Sequence, residues 1–538
     1  NLQGIWPSYV EKDLIPRLNG FELLMASYAM AHLKLDMLFG ETGCNQRDQN
    51  NRLRVFLTNS LEEYHPDTHS LFSQWLSNEA KEANTVKKDT PVMVVMGNPP
   101  YSVSSTNKSD WIQNLVQDYK KDLNERNIQP LSDDYIKFIR YGQHFIEKNG
   151  EGVLAFITNN SFIDGLIHRQ MRKNLLQTFD EIYILDLHGN SKKKETTPDG
   201  SKDENVFDIM QGVSINLFIK NGSNISRPGD FGKVFKTDLY GKRKDKYATL
   251  EETNFKTTQW TKLAPQAPDF LFIKQDFETK KTYESGLEVA KLFSLSSSGI
   301  KTHRDHFVID INKDTLQKRI RKFYDNNFSD EEIKSKLNLK ETSTWKLNFA
   351  RQNYFDKQKI QKIYYRPFDE QFVYFEVGLI DRAREKTMRH MTLENIGVVL
   401  VPQPQAANLN QFDCLFVSNT ISDTNFYRRG GPFVFPLYLY PEGGSERIPN
   451  LNPEEIQAFE KALGLPFTAE NPEKNFVPSC FLDSSAEFSV CGSTSPEFFT
   501  PIDILDYIYA LLHSPSYRET YKEFLKTDFP RVPYPTPK

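Results

Sequence analysis

Up to about residue 220, short runs that are apolar throughout alternate with longer runs whose apolar residues recur every three or four positions, the rhythm of strands and helices taking turns in an α/β region. The spacing predicts a strand over 17–23 that ends near Glu22, a helix from Leu24 to Leu38 with Tyr28, Leu35 and Leu38 among its apolar positions, and a strand over 53–58 ending at Asn59. An amphipathic helix is predicted from His69 to Lys87, carrying Leu71, Phe72, Trp75 and Leu76. The apolar run from Pro91 to Met96 predicts a parallel strand covered on both faces. Helices follow over 109–125 and 133–148, a strand over 152–158, a helix over 165–178 and a strand over 181–187; a strand over 212–220 closes the series. Between these last strands, residues 189–205 are polar and charged, and their composition predicts a mobile segment. It reads either as a solvated surface loop or as a phosphate-contacting loop acting through Lys192, Lys193 and Lys194.

After about residue 275 the pattern changes. Basic helical stretches such as 313–328 alternate with aromatic-rich short strands such as 362–369, and there is no internal repeat. Residues 441–472 read as a loop around one short helix (452–463), helices are expected over 502–512 and 516–525, and the proline-rich end 530–538 has no closing element. A length of 538 residues suits two or three domains. The change of pattern divides the chain into 1–275, a doubly wound α/β region, and 276–538, a mixed α+β region.

The formal net charge of −4 announces no global attraction to nucleic acid, so any such contact must come from local basic patches. Cys44, Cys414, Cys480 and Cys491 show no metal-like pairing and are too few for a disulfide framework, so no metal site is expected and a reduced, cytoplasmic setting fits. No apolar run approaches a membrane span and there is no signal peptide, so no membrane partner is expected. The chain opens on Asn1 rather than Met, and is expected to be a piece of a longer polypeptide.

The most informative stretch is Gly97-Asn98-Pro99-Pro100-Tyr101, directly after the apolar run. Ligand sites in open α/β sheets lie at the carboxyl ends of strands, where this motif falls. Two prolines in succession fix φ and hold the preceding residues extended. The Asn98 side-chain oxygen and the Pro99 carbonyl are then two fixed acceptors, each able to take one hydrogen of an amine. That arrangement suits an amine whose lone pair is delocalised, such as the exocyclic amine of adenine, because it favours the pyramidal, nucleophilic form. Tyr101 offers a ring face for a base taken out of its stack. Read alone, Asn-Pro-Pro is also a common turn.

The flanking segments add a resemblance. Pro16–Met25 (PRLNGFELLM), Leu57–Glu63 (LTNSLEE), Val94–Tyr101 (VVMGNPPY), Asp133–Phe138 (DDYIKF), Ile184–Lys194 (ILDLHGNSKKK) and Asp203–Phe207 (DENVF) are similar to the adenine methyltransferase domain of restriction–modification enzymes, nearest the single-chain, ATP-dependent kind called Type ISP. Downstream, Tyr365–Asp369 (YRPFD) and Tyr507–Pro515 (YIYALLHSP) resemble the same family, so the likeness runs through nearly the whole chain. It implies a Rossmann-like methyltransferase sheet at 1–275, a target-recognition domain at 276–538, S-adenosylmethionine as cofactor, double-stranded DNA as partner, and catalysis by Asn98, Pro99, Pro100 and Tyr101. Glu22 falls where the family's acidic residue binds the cofactor ribose; a plain helix N-terminal Glu is the alternative. Asn59 stands where relatives often carry an Asp against the cofactor adenine, a departure that leaves its role open. Phe207 has the spacing of an aromatic that stacks on the flipped base opposite Tyr101, or of a core residue.

One departure weighs most. The family's glycine-rich turn under the methionine part of the cofactor is expected some twenty to thirty residues before Glu22, and no Gly-x-Gly pair occurs in the first ninety residues. The first strand of the sheet is therefore expected to be missing from this chain. There is no Gly-x-x-x-x-Gly-Lys phosphate loop either, so the nuclease and helicase domains, with their ATP and Mg, are expected upstream. In the second region the candidate DNA contacts are Arg382, Arg384, Arg389, Gln403, Gln405, Arg428 and Arg429, each of which, taken alone, reads as an ordinary surface or phosphate contact before it reads as a base reader. Two rival readings stay open: a DNA-binding specificity module with an inactive transferase fold, and a protein-glutamine methyltransferase, whose planar nitrogen poses the same problem.

Overall fold

The apolar runs between residues 90 and 265 become one six-stranded sheet. In chain order its strands are β3 (Val94–Gly97), β4 (Gly152–Asn159), β5 (Glu181–His188), β6 (Val213–Lys220), β7 (Lys233–Asp238) and β8 (Thr261–Leu263), and across the sheet they lie β3-β4-β6-β5-β7-β8. The β3–β4 and β5–β7 pairs are parallel, whereas β6 runs antiparallel between β4 and β5 and β8 is antiparallel to β7. A separate parallel pair is formed by β1 (Gly20–Glu22) and β2 (Val55–Leu57). The result is a mixed α/β architecture, with the expected strand series split into these two sheets.

The computed structural model describes residues 3–44, 52–63, 74–102, 105–125, 127–193, 195–222, 230–342, 345–401, 412, 414–427, 431–442, 446–470, 498–526 and 529–536. It divides into two compact units, Asn1–Gln275 and Asp276–Lys538. In the first, helices α1 (Trp6–Tyr9), α2 (Met25–Glu41), α3 (Gln74–Asp89), α4 (Asp110–Lys120), α5 (Asp134–Asn149), α6 (Arg169–Thr178) and α7 (Arg243–Glu252) accompany the strands. The expected Leu71 and Phe72 of the α3 region lie outside the described residues.

Period-two patterning sets the register. Leu154 and Phe156 of β4, Ile182 and Ile184 of β5 and Phe218 of β6 point to one face, where they pack on Ile136, Ile139 and Ile146 of α5 and on Leu175 and Phe179 at the end of α6. Burying one such phenylalanine is worth roughly 1.5–3 kcal/mol. Gly142 lets α5 approach the sheet, since a β-carbon there would come within 2.4 Å of Leu154 Cδ1. Gly150 ends α5 in the left-handed region (φ +86°), so the chain turns straight into β4.

Several sequence-based expectations are corrected. Among the described residues β3 is an edge strand paired only with β4, and it is not covered on both faces: Val94 is 58% and Met96 77% exposed. The series does not close at 220, because β7, α7 and β8 follow. The loop 189–205 is tied into the fold by ion pairs, although its composition predicts a mobile segment. The proline-rich end does carry a closing element: Arg531–Val532 pairs antiparallel with Leu287–Glu288, and Arg531 Nη2 bonds Glu288 Oε2 at 3.0 Å.

The second unit holds two four-stranded sheets. One orders Ser297–Ser298, Phe433–Pro436, Gly397–Leu400 and Leu415–Ser418; the other orders Ile309–Asp310, Asp369–Tyr374, Ile360–Arg366 and Ile421–Ser422. Asp369–Tyr374 and Ile360–Arg366 form a hairpin. Each sheet has its own apolar core, around Ile363, Val373 and Tyr374 in one case and Leu400, Phe435 and Ile508 in the other.

Candidate functional site

The Asn98–Tyr101 segment leaves the carboxyl end of β3 as a strap outside regular secondary structure. Asn98 is exposed, Pro99 buried and Pro100 exposed, so the segment presents the Asn98 amide outward from a proline set into the fold. Tyr101 Oη donates to Asn98 Oδ1 at 3.1 Å and is 3.4 Å from the Ile157 carbonyl. An amide oxygen has two acceptor sites, so this bond fixes Oδ1 while leaving it able to take a second hydrogen. Burial pushes the Tyr101 hydroxyl up to about 12, which keeps it a neutral donor. Its ring packs edge-on to Tyr135, with centroids 6.5 Å apart.

The amino end of α5 pins the chain that follows. Asp133 Oδ1 accepts from the Ser102 amide at 2.8 Å, and Asp134 Oδ1 accepts from Ser105 Oγ at 2.5 Å and Asn107 Nδ2 at 3.1 Å. Lys137, one helical turn on, donates to Ser105 Oγ and the Asn107 carbonyl, each at 2.5 Å. This explains the Asp133–Phe138 motif: its acids and lysine hold the strap that carries Asn98 and Tyr101.

Asn59 is built into the same scaffold. Its Nδ2 donates to Asn107 Oδ1 and Glu62 Oε1, both at 3.0 Å, while its Oδ1 accepts from the Leu61 amide. Lys87, pulled down to about 8 by burial, holds this turn through Thr58 Oγ1, the Asn59 carbonyl and the Glu62 carbonyl. Glu22 is the last residue of β1, and its Oε1 accepts from the Leu23 and Leu24 amides ahead of α2. It therefore sits at a strand's carboxyl end and also serves the helix start, combining both expected placements.

Phe207 is half-buried and packs on the cluster of Leu187, Val206 and Val213, the cluster that Tyr101 also touches. Asn205 sets its backbone: Oδ1 accepts from the Phe207 amide at 2.8 Å, and Nδ2 donates to the Gly189 and Gln211 carbonyls. The two aromatics that sequence spacing pairs are thus brought to one apolar patch.

A charged network beside this patch was not legible in the sequence. His188, in the left-handed region at φ +51°, donates from or accepts at Nδ1 toward Glu195 and at Nε2 toward Asp238, both at 2.8 Å. Burial opposes charge on the ring, but the bonds to Asp238 and Glu195 and the charge of Asp186 outweigh it and lift its pKa to about 9. The ring is then an imidazolium donating to both carboxylates, and Tyr240 stacks on it at 3.9 Å. Asp186, His188 and Asp238 place ligand atoms within 4.8 Å of one another. Both ring nitrogens are already committed, however, and Lys236 Nζ stands 3.2 Å from Asp186, so an ammonium fills the place a cation would take. Glu195 also accepts from the Asn190 amide, and Asp203, buried on the same loop, pairs with buried Lys246 at 2.9 Å. These contacts fasten 189–205 to the carboxyl ends of β5 and β7. Within it Lys192 and Lys193 are exposed, Lys193 lying 3.7 Å from Asp164; Lys194 falls outside the described residues.

In the second unit, Arg382 and Arg384 are exposed, and Arg384 donates from Nε to Ser298 Oγ at 3.0 Å. Arg389 is half-buried and paired with the exposed Glu442 at 2.8 Å. Gln403, Gln405, Arg428 and Arg429 lie outside the described residues.

Comparison with known proteins bears on both units. Residues 23–193 match the model of the Eco57I restriction-modification methylase, and residues 291–538 match that of the Type ISP C-terminal specificity domain. No curated protein matches the chain. Among solved structures, a cryoEM structure of a DrdV–DNA complex is similar over 99% of this chain and 50% of its own, at 21% identity and TM-score 0.67. The ATP-dependent Type ISP restriction-modification enzyme LlaBIII bound to DNA is similar over 98% of this chain and 33% of its own, at 23% identity and TM-score 0.65. A nuclease-deletion mutant of the Type ISP enzyme LlaGI, in complex with a DNA substrate mimic, covers 99% of this chain and 41% of its own at 19% identity and TM-score 0.64. The likeness to these three is one of fold, and the chain spans half or less of each. Among the described residues no helix is long and apolar enough to cross a membrane. The chain thus joins a region of the Eco57I restriction-modification methylase family, 23–193, to a Type ISP C-terminal specificity domain, 291–538.

Proposed function

We propose that the protein is the modification and specificity part of a restriction–modification enzyme, transferring a methyl group from S-adenosylmethionine to the exocyclic amine of adenine in a specific duplex DNA sequence. The observation that carries the reading is the Asn98 amide, exposed on a proline-fixed strap at a strand end, with its Oδ1 oriented by Tyr101. The family matches supply methyl transfer as the chemistry and DNA as the substrate class.

In this mechanism Asn98 Oδ1 and the Pro99 carbonyl each accept one hydrogen of the target amine and draw its lone pair out of conjugation. Tyr101 and Phe207 supply the apolar faces that hold a base once it leaves the helix, which costs a few kcal/mol of stacking and pairing to be regained in the pocket. The cofactor supplies an electrophilic methyl on a sulfonium. For its adenosine half the chain has Glu22, whose carboxylate suits a ribose diol, and Asn59, already committed to its own loop.

For the methionine half the described residues offer no cradle. The open edge of β3, with Val94 and Met96 exposed, and the exposed Leu23, Leu24, Met30, Leu33 and Met37 beside β1 and along α2 support a further strand between β1 and β3. With that strand the two sheets of the first unit become one Rossmann-like sheet, and the strand's glycine-rich turn completes the cofactor site. Residues 1–275 are then the methyltransferase domain and 276–538 the target-recognition domain, with Lys192, Lys193, Arg382 and Arg384 as DNA contacts.

The test is Asn98→Ala in the full-length protein. Transfer to duplex DNA falls at least 100-fold while DNA affinity stays within a few-fold, because Asn98 acts on the reacting amine alone. Normal turnover by this variant would sink the mechanism.

A further inference from the structure

The hairpin of Ile360–Arg366 and Asp369–Tyr374 ends in a two-residue turn, Pro367 and Phe368, flanked by the Arg366–Asp369 pair. Proline at the first turn position and a positive φ at the second are the pattern of a type II turn, where glycine or asparagine is the usual occupant. Here the second residue is Phe368, with φ +63°. Its side chain is 100% exposed. A large apolar ring therefore pays for neither burial nor backbone comfort at this position: both terms disfavour phenylalanine in the isolated chain.

The root of the turn is rigid. Tyr365 is bulged out of the strand pairing, and its Oη donates to Asp305 Oδ2 at 2.8 Å. Arg366 lies over the Tyr365 ring at 4.0 Å and donates from Nη1 to Asp423 Oδ1 at 2.9 Å, a carboxylate that is itself almost wholly buried. The segment beside Asp423 carries more cations: Ile300 bridges to Asp423, and Lys301 next to it exchanges both backbone hydrogen bonds with exposed Arg382.

We infer that Phe368 is a wedge that enters the base stack of bound DNA, steadied by Arg366 at the neighbouring phosphate and by Lys301 and Arg382 along the backbone. This rests on the DNA-specificity reading above and goes beyond it by naming the element that deforms the duplex. A fully exposed ring on a hydrogen-bonded tip, among cations, fits the gap between two base pairs, where apolar side chains act as wedges. Such a wedge unstacks one step and kinks the duplex, so it contributes specificity through the deformability of that step.

The experiment begins with selection of 40-base-pair random-sequence duplexes by the full chain. The selected duplex, carrying 2-aminopurine at each position in turn, is then titrated with wild type, Phe368→Ala, Phe368→Gly and Phe368→Trp. The expected result is brightening at one base step with wild type and Phe368→Trp. With the Ala and Gly variants the brightening is lost and affinity falls about 10-fold. Phe368→Gly also holds or raises Tm by up to about 4 °C, because glycine accepts the positive φ, which separates loss of the wedge from loss of fold. Equal affinity and equal brightening with Phe368→Ala overturn the wedge while leaving DNA binding intact. A fall in Tm for Phe368→Ala without change in DNA binding also overturns it, and marks the ring as a protein contact. Failure of wild type to select any duplex overturns the DNA reading itself.

Discussion

His188 shows how much of the site depends on a single residue that fastens a loop. Its ring joins Glu195 on the 189–205 loop to Asp238 at the end of β7, and it is charged when it does so. Its folded pKa of about 9 stands above the ordinary histidine value of ~6.5. A raised pKa means that the folded state holds the proton more tightly. The stability it contributes is therefore complete below about pH 6.5 and is lost as pH rises through about 9. Thermal denaturation of wild type and His188→Gln between pH 6 and 10 checks this. The wild-type advantage is expected to shrink steadily across that window, and an advantage independent of pH would show that the ring acts by packing alone. Asn98 and Tyr101 were legible as residues because their motif is local. The partners of His188 were not, since Asp238 lies 50 positions away and neither neighbour has a pattern of its own.

Among elements, those with a strong period were readable. β4, β5 and β6 fall within a residue or two of their expected bounds, because each is an apolar strand with side chains packed on at least one face. β7 and β8 were missed: Lys233–Asp238 carries charge at both ends and inside, and Thr261–Leu263 is three residues long. The pairing of Arg531–Val532 with Leu287–Glu288 was missed for the same reason, two residues on each side carrying no period. β3 was misread in a more useful way. Its sequence is that of a strand covered on both faces, yet it lies at an edge with Val94 and Met96 exposed. The conflict between its sequence and its position is the best element-scale argument for the further strand proposed beside it. It gives a direct expectation: Asn1–Lys538 by itself binds S-adenosylmethionine more weakly than about 100 μM in calorimetry, since on the proposed reading the described residues serve only the adenosine half of the site. Micromolar binding would mean that other residues have rebuilt the cradle.

At the scale of the molecule, the sequence pattern changes near residue 275, and the structure divides into compact units at Gln275 and Asp276. The assignment of chemistry to the first unit and DNA specificity to the second is the proposal that gives both units a role. It accounts for a net charge of −4 on a protein proposed to hold DNA, since local cations such as Arg366, Arg382 and Arg384 would carry the contacts. What sequence could not supply was the split of the strands into two sheets, because strand order is a matter of long-range pairing rather than of any local period. The central claim is that the Asn98 strap methylates adenine in a defined sequence. Single-molecule mapping of modified bases in DNA from cells expressing the full-length gene tests it most directly. The account predicts N6-methyladenine at one recurring sequence context, absent when the gene carries Asn98→Ala. Unmodified adenine throughout, or modification that persists in that variant, would contradict it.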